Sequence, residues 1–160
     1  MVIGPSFDLA QKRYDIEVTR LQNLHERANN QIGFAGVIIA IFSFIFGSNG
    51  INEIMKSQYF VCVVFGLILI LGSIFTGIFV VFHKKNRRPA INPEKFYNKY
   101  KEKTEEEQKE VITLVYFDLI YYFKKRNDQK AEFLSYGNIL ALFGLLVSLI
   151  SILFIIKGVG

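Results

Sequence analysis

YFVCVVFGLILILGSIFTGIFVVF, Tyr59 to Phe82, is 24 residues without a charge, and it stops against His83, Lys84, Lys85, Arg87 and Arg88. About 20 apolar residues in a helix cover the ~30 Å hydrocarbon core of a bilayer, so this stretch reads as a transmembrane helix with a basic anchor at its end. Downstream, FLSYGNILALFGLLVSLISILFII from Phe133 to Ile156 repeats the pattern between Glu132 and Lys157. Upstream, IGFAGVIIAIFSFIFG from Ile32 to Gly47 is 16 residues long and reaches 20 with the polar entrance Ala28 to Gln31. A fourth run, VITLVYFDLIYYF from Val111 to Phe123, has 13 residues with Asp118 at its middle. That length suits a buried or interfacial helix rather than a span.

The chain of 160 residues is 51% hydrophobic, an ordinary average that hides how the residues are arranged. Nearly all charge is confined to two blocks between the apolar stretches, which excludes a soluble globular domain and a disordered chain. The first apolar stretch is not a cleaved signal, because the charged segment from Phe7 to Gln31 precedes it and no small-residue cleavage pattern follows. One cysteine, Cys62, excludes an internal disulfide and a Cys-rich metal set. Cytoplasmic loops carry the excess of Lys and Arg. Lys12, Arg13, Arg20 and Arg27 lie before the first span and thirteen more between His83 and Ser135, leaving only Lys56 and Lys157 elsewhere. The N-terminus is therefore expected inside and the C-terminus outside. The pI of about 9.3 becomes a signal of topology, and nucleic acid is not expected as a partner.

Between Phe7 and Asn30 there is no Pro or Gly, and Tyr14, Val18, Leu21, His25, Ala28 and Ile32 recur at heptad spacing, with Leu24 beside them. This predicts an amphipathic helix over 7–31, capped at Ser6 or Asp8 and continuous with a first span over 32–48. Pro89 and Pro93 in KKNRRPAINPEKF end the second span, 59–82, and allow a helix to restart at Pro93. Ile112, Val115, Leu119, Tyr122, Arg126, Gln129 and Phe133 then predict a stripe on one long helix from Glu94, with 94–132 cytoplasmic and 133–156 spanning. The two units look like a faint repeat, each with a basic residue and Ala at the membrane entrance: Arg27-Ala28 and Lys130-Ala131.

The catalytic inventory is nearly empty. There is no phosphate loop, no HExxH and no GxSxG, and the two histidines, His25 and His83, are distant in sequence. They would form a pH-sensitive pair only if the fold joins them. Asp118 is either a buried functional carboxylate or the wet side of a packed helix. No ionisable residue lies within the spans, which disfavours a proton-coupled carrier. The spans do carry small residues at close-approach intervals: Gly33 and Gly36, Ser43 and Gly47, Gly72 and Thr76, Gly144 and Ser148. Such pairs let helices approach within one chain or between copies. Asn29, Asn30 and Gln31 at the first entrance and Asn138 in the third span offer amides to a vestibule or to a neighbouring helix. Ser43, Thr76, Ser148 and Ser151 offer hydroxyls to a pore in a ring of subunits.

ERANNQIGFAGVIIAIF, HKKNRRPAINPEKF and NDQKAEFLSYGNILALFGLL together resemble the SLATT and Pycsar-type small membrane effectors. The resemblance rests on a Lys-Ala or Arg-Ala step before a span and an Asn three residues before the second Lys. Here these are Arg27-Ala28, Lys130-Ala131 and Asn127. It covers most of the chain with few matching positions. It implies the membrane-damaging arm of nucleotide-signalled antiviral defence, in which a sensor triggers assembly and permeabilisation. No cyclic-nucleotide-sensing domain is attached here, so the trigger would come from a separate cytoplasmic sensor protein or act directly on the helical cytoplasmic part.

The expectation is an all-α integral membrane protein: a single membrane domain, with three transmembrane helices and two long helices extending into the cytoplasm as an antiparallel bundle. It is read as a non-enzymatic homo-oligomer without cofactor or metal, with the lipid bilayer as its partner. The candidate residues are Arg27, Asn30, Asn127 and Lys130 at the entrances and Gly36, Gly144 and Ser148 in the spans. Competing readings are a non-catalytic accessory or scaffold subunit of a larger membrane complex, or a lipid-headgroup binder using Lys84, Lys85, Arg87 and Arg88.

Overall fold

The computed structural model describes residues 4–47, 55–83 and 98–157. Its three long helices are α1 (Gly4–Ile45), α2 (Phe60–Phe82) and α3 (Glu105–Ile156), with no strand among the described residues. Each is long and apolar enough to cross a membrane, which is compatible with a membrane protein. α1 passes from the charged block into the apolar one without interruption over 42 residues, since nothing between Phe7 and Asn30 breaks a helix. Lys84, Lys85, Arg87 and Arg88, expected as a basic anchor, and Pro89 and Pro93 lie outside the described residues.

Of the helix that the sequence predicts from Glu94, residues 94–97 lie outside the described residues and 98–100 are helical; after a turn, α3 starts at Glu105, where Thr104 builds a helix start of its own. The Thr104 amide donates to Glu107 Oε2 at 3.0 Å and the Glu107 amide to Thr104 Oγ1 at 3.4 Å. This reciprocal capping box satisfies first-turn donors that have no partner within the helix. Gln108 Nε2 reaches back to the carbonyls of Tyr100 and Lys103 and holds the turn ahead of it.

The chain divides into two compact units. The charged unit combines Met1–Asn23 with His83–Gln129. In it α1 and α3 meet through Phe7 and Tyr116, Tyr14 and Tyr116, and Tyr14 and Phe123, with ring centroids 5.3–5.9 Å apart. Contact positions climb in step along both helices, so the pair runs parallel. This corrects the expected antiparallel bundle.

The apolar unit combines Leu24–Phe82 with Lys130–Gly160. α2 runs antiparallel to the segments of α1 and α3 beside it, as Tyr59 stacks on Phe154 and Phe79 meets Phe133. One core joins Ala35, Ile38, Phe42, Val63, Ile70 and Ile152; a second joins Leu24, Ala28, Val80 and Leu134. Buried positions keep a 3-4 spacing on every helix: Leu24, Ala28, Gln31, Ala35 on α1; Val63, Gly66, Ile70, Ser73, Gly77, Val80 on α2; Lys130, Leu134, Gly137, Ala141, Gly144, Ser148 on α3. A sustained period of 3.5 keeps one seam facing its partners in left-handed coiled-coil geometry. The outer surface is apolar, with Phe34, Phe44, Phe65, Phe75 and Phe143 all exposed. An exterior this apolar is compatible with a membrane protein.

The seam on α3 runs one residue beyond the predicted stripe, through Thr113, Tyr116, Phe123 and Asn127 rather than Ile112, Val115, Tyr122 and Arg126. On α1 it keeps Tyr14, Leu21, Leu24 and Ala28 and takes Gln31 in place of Ile32, with His25 half-buried beside it.

Candidate functional site

Two features of the seam are costly for an apolar bundle: polar side chains at core positions, and helices that touch through backbone. Lys130 stands at a seam position of α3 and is 2% exposed. Its Nζ donates to the Val80 carbonyl at 2.5 Å and sits 2.7 Å from His25 Nε2. Val80 lies in the last turn of α2, where carbonyls lack helical partners and the helix dipole is negative. An amine there satisfies an orphan acceptor and meets a favourable field. With Lys130 as donor, His25 Nε2 is the acceptor. Lys130 thus ties all three helices of the apolar unit together at one end.

Two turns farther along α1, Gln31 forms a second three-helix contact. Its Nε2 donates to the Ser73 carbonyl and hydroxyl, both at 2.8 Å, and to Thr76 Oγ1 at 3.1 Å. Thr76 donates in turn to the Ser73 carbonyl at 2.7 Å. α3 contributes Gly137, whose Cβ would lie 2.0 Å from Thr76 Oγ1 and 2.1 Å from Gln31 Nε2, so only a glycine leaves room for the amide. Gln31 Oε1 is buried without a hydrogen-bond partner.

Deeper in the same unit, α2 and α3 cross with backbone against backbone. A Cβ on Gly66 would meet the Gly144 carbonyl at 2.7 Å and Ser148 Oγ at 2.1 Å; a Cβ on Gly144 would meet the Gly66 carbonyl at 2.6 Å. Gly77 is closed off in the same way by Ile32 and the Ala28 carbonyl. Ser148 is fully buried with its hydroxyl unpartnered.

The charged unit has its own buried polar residue. Asn127 is fully buried, and its Nδ2 donates to the Glu17 carbonyl and to Glu17 Oε2, each at 2.8 Å. Arg20 links Glu17 at 3.7 Å to Asp128 at 2.8 Å and screens the carboxylate. Arg126 Nη2 donates to the His83 carbonyl at 3.0 Å. Asp118 is exposed, the wet side of a packed helix rather than a buried carboxylate.

Of the expected residues, Asn127, Lys130, Gly144 and Ser148 are in seams, whereas Arg27, Asn30 and Gly36 are on the surface. The apparent repeat of Arg27-Ala28 and Lys130-Ala131 is not a structural one. In the first pair Ala28 takes the seam position and Arg27 faces out; in the second Lys130 takes the seam. Gln31 and His25 carry more of the helix contacts than the sequence suggests. The available signal was an amide and an imidazole on the inner side of a helix that is otherwise apolar there. No family profile, no curated protein and no solved structure matches the chain.

Proposed function

We propose that the chain assembles in a membrane as a homo-oligomer that forms a pore or perturbs the bilayer, with its N-terminus cytoplasmic and its C-terminus outside. The observation that carries this reading is a second heptad seam on α1, on its exposed side: Asn29, Gly33, Gly36, Ala40, Ser43 and Gly47. A Cβ on Gly33, Gly36 or Gly47 would meet nothing within 4 Å, while Gly66, Gly77, Gly137 and Gly144 are all closed off by their own chain. Lipid gives no hydrophobic reward for bringing helices together, so membrane helices associate through small residues that permit close approach and through polar groups that bond across. The exposed seam has both kinds. It also brings a ring of Asn29 amides and Ser43 hydroxyls toward the axis if copies close around it.

In this reading the mechanism is a change in helix contacts. The resemblance to the small membrane effectors favours a role in antiviral defence, in which a cytoplasmic sensor protein shifts the assembly from a closed to a leaking state. The test is purification into nanodiscs with measurement of mass, alongside release of a fluorescent dye from liposomes. A ring of defined size that releases dye, and whose release Gly36→Leu abolishes, is the expected result. A monomer that releases nothing and copurifies with other subunits replaces this reading with a scaffold.

A further inference from the structure

We infer that His25 and Lys130 form a pH-sensitive latch at one end of the apolar unit, closed while one proton lies between their facing nitrogens and opened when a second arrives. Lys130 Nζ and His25 Nε2 are 2.7 Å apart, and the amine also donates to the Val80 carbonyl. A nitrogen pair at that distance needs one N–H and one lone pair. An ammonium offers only N–H, and so does an imidazolium, so full protonation leaves no lone pair on the line between them. The bond then becomes a contact between two cations. Lys130 is 2% exposed and has no water to turn to where it stands, whereas His25 is half-buried and within reach of water. Opening therefore costs the unit the contact by which Lys130 ties α1 to α2 and α3.

The ionisable groups around the pair are placed away from the packed side of the helices. On α1, Glu26 and Arg27 follow His25 in the chain and are both exposed. On α3, Glu132 is exposed and accepts from the Tyr136 hydroxyl at 3.3 Å. α2 has no Asp, Glu, Lys, Arg or His between Phe60 and Phe82. The charged groups that precede the pair along α1 and α3 make contacts in the charged unit: Arg20 with Asp128, Glu17 with Asn127, and Arg126 with the His83 carbonyl. The sign of the response follows from the acceptor role of the ring. The folded chain needs a neutral imidazole at His25 and the unfolded chain does not. Stability from the latch is therefore full above the ordinary imidazole value of about 6.5 and is lost as pH falls below it.

This inference stands apart from the homo-oligomer reading, since the pair lies within one chain. The test is the thermal midpoint of the full-length protein in nanodiscs from about pH 8 to about pH 5, for the parent, His25→Gln and His83→Gln. His25→Gln keeps an amide oxygen to accept from Lys130 at a similar reach and has no proton to gain. The midpoints of the parent and of His83→Gln should fall together as pH falls, and that of His25→Gln should hold level. A parent that holds level, or a His25→Gln variant that falls with the parent, overturns the inference. If His25→Gln yields no folded protein, a second measurement decides. In the His83→Gln background His25 gives the one histidine signal, and NMR of protein labelled in the imidazole reads its titration with and without Lys130→Met. The ring should take up its proton at higher pH once the ammonium is gone. An unchanged titration overturns the inference, in a monomer and in an oligomer alike.

Discussion

The two units solve the same problem, holding α1 beside α3, by different means. In the charged unit the helices meet through rings, with Phe7, Tyr14, Tyr116 and Phe123 in tilted or edge contact and Asn127 bonded to Glu17. Large side chains suit a setting where burying apolar area away from water is itself the driving force. In the apolar unit the contacts are made by the smallest residues, Gly66, Gly77, Gly137 and Gly144, and the specific bonds come from Lys130 and Gln31. That is the mode by which helices associate in a bilayer, where close fit and hydrogen bonds replace area. One helix therefore changes its mode of association along its length while the 3-4 spacing of its seam stays the same.

The sharpest way to break this comparison is to fill a glycine. Gly144→Leu drives atoms into the Gly66 carbonyl, which is backbone and cannot rotate away, so it should cost about 3 kcal/mol or more, the upper end for overpacking. Gly36→Leu, with open space around it, should leave the thermal midpoint in nanodiscs unchanged while acting on assembly. Equal losses at the two positions would mean that the glycines are not divided between inner and outer roles.

Next in size is Lys130→Met, which keeps the bulk of the side chain and removes the donor to the Val80 carbonyl. A loss of about 1–3 kcal/mol is expected for leaving a buried acceptor unpaired. If Lys130→Met is as stable as the parent in the same melt, the amine contributes no net stability. In the charged unit, Tyr14→Leu retains apolar area but ends two ring contacts, and about 0.5–1.5 kcal/mol should be lost. Hydrogen exchange should report that loss in α1 before Asn23 and in α3 before Lys130, with little change in Phe60–Phe82.

The smallest effect is at the start of α3. The Lys109 ammonium, 2.6 Å from Glu105, holds that carboxyl below its ordinary range, and Glu105 in turn holds the Lys109 ammonium above its own. A lowered carboxyl contributes stability that is present above the ordinary carboxylate pKa and is lost as pH falls through the lowered value. The raised amine contributes below the ordinary lysine pKa and loses it as pH rises through the higher one. Glu105 is exposed and Lys109 partly so, and the change should be confined to faster amide exchange in the first turn of α3 in acid and should fade with added salt. A pH response that spreads through the whole helix would show that this turn is coupled to the rest of the unit.

The sequence by itself determined three apolar segments of spanning length, the passage of α1 and α3 into theirs without a break, and the separation of charge from apolar stretches. These follow from local rules: which residues a helix tolerates, and how long an apolar run is. It did not determine where a seam is centred. An apolar stripe is about 100° wide, so neighbouring choices such as Ile112 or Thr113 fit the period equally, and only the partner helix selects between them. Tertiary structure alone decided that α1 and α3 run parallel, that Lys130 is buried while Arg27 is not, and that Gly144 is closed off while Gly36 is open. A glycine or a lysine in the sequence has no direction. It acquires one when another helix occupies the space beside it, and that neighbour is set by contacts between residues far apart in the chain.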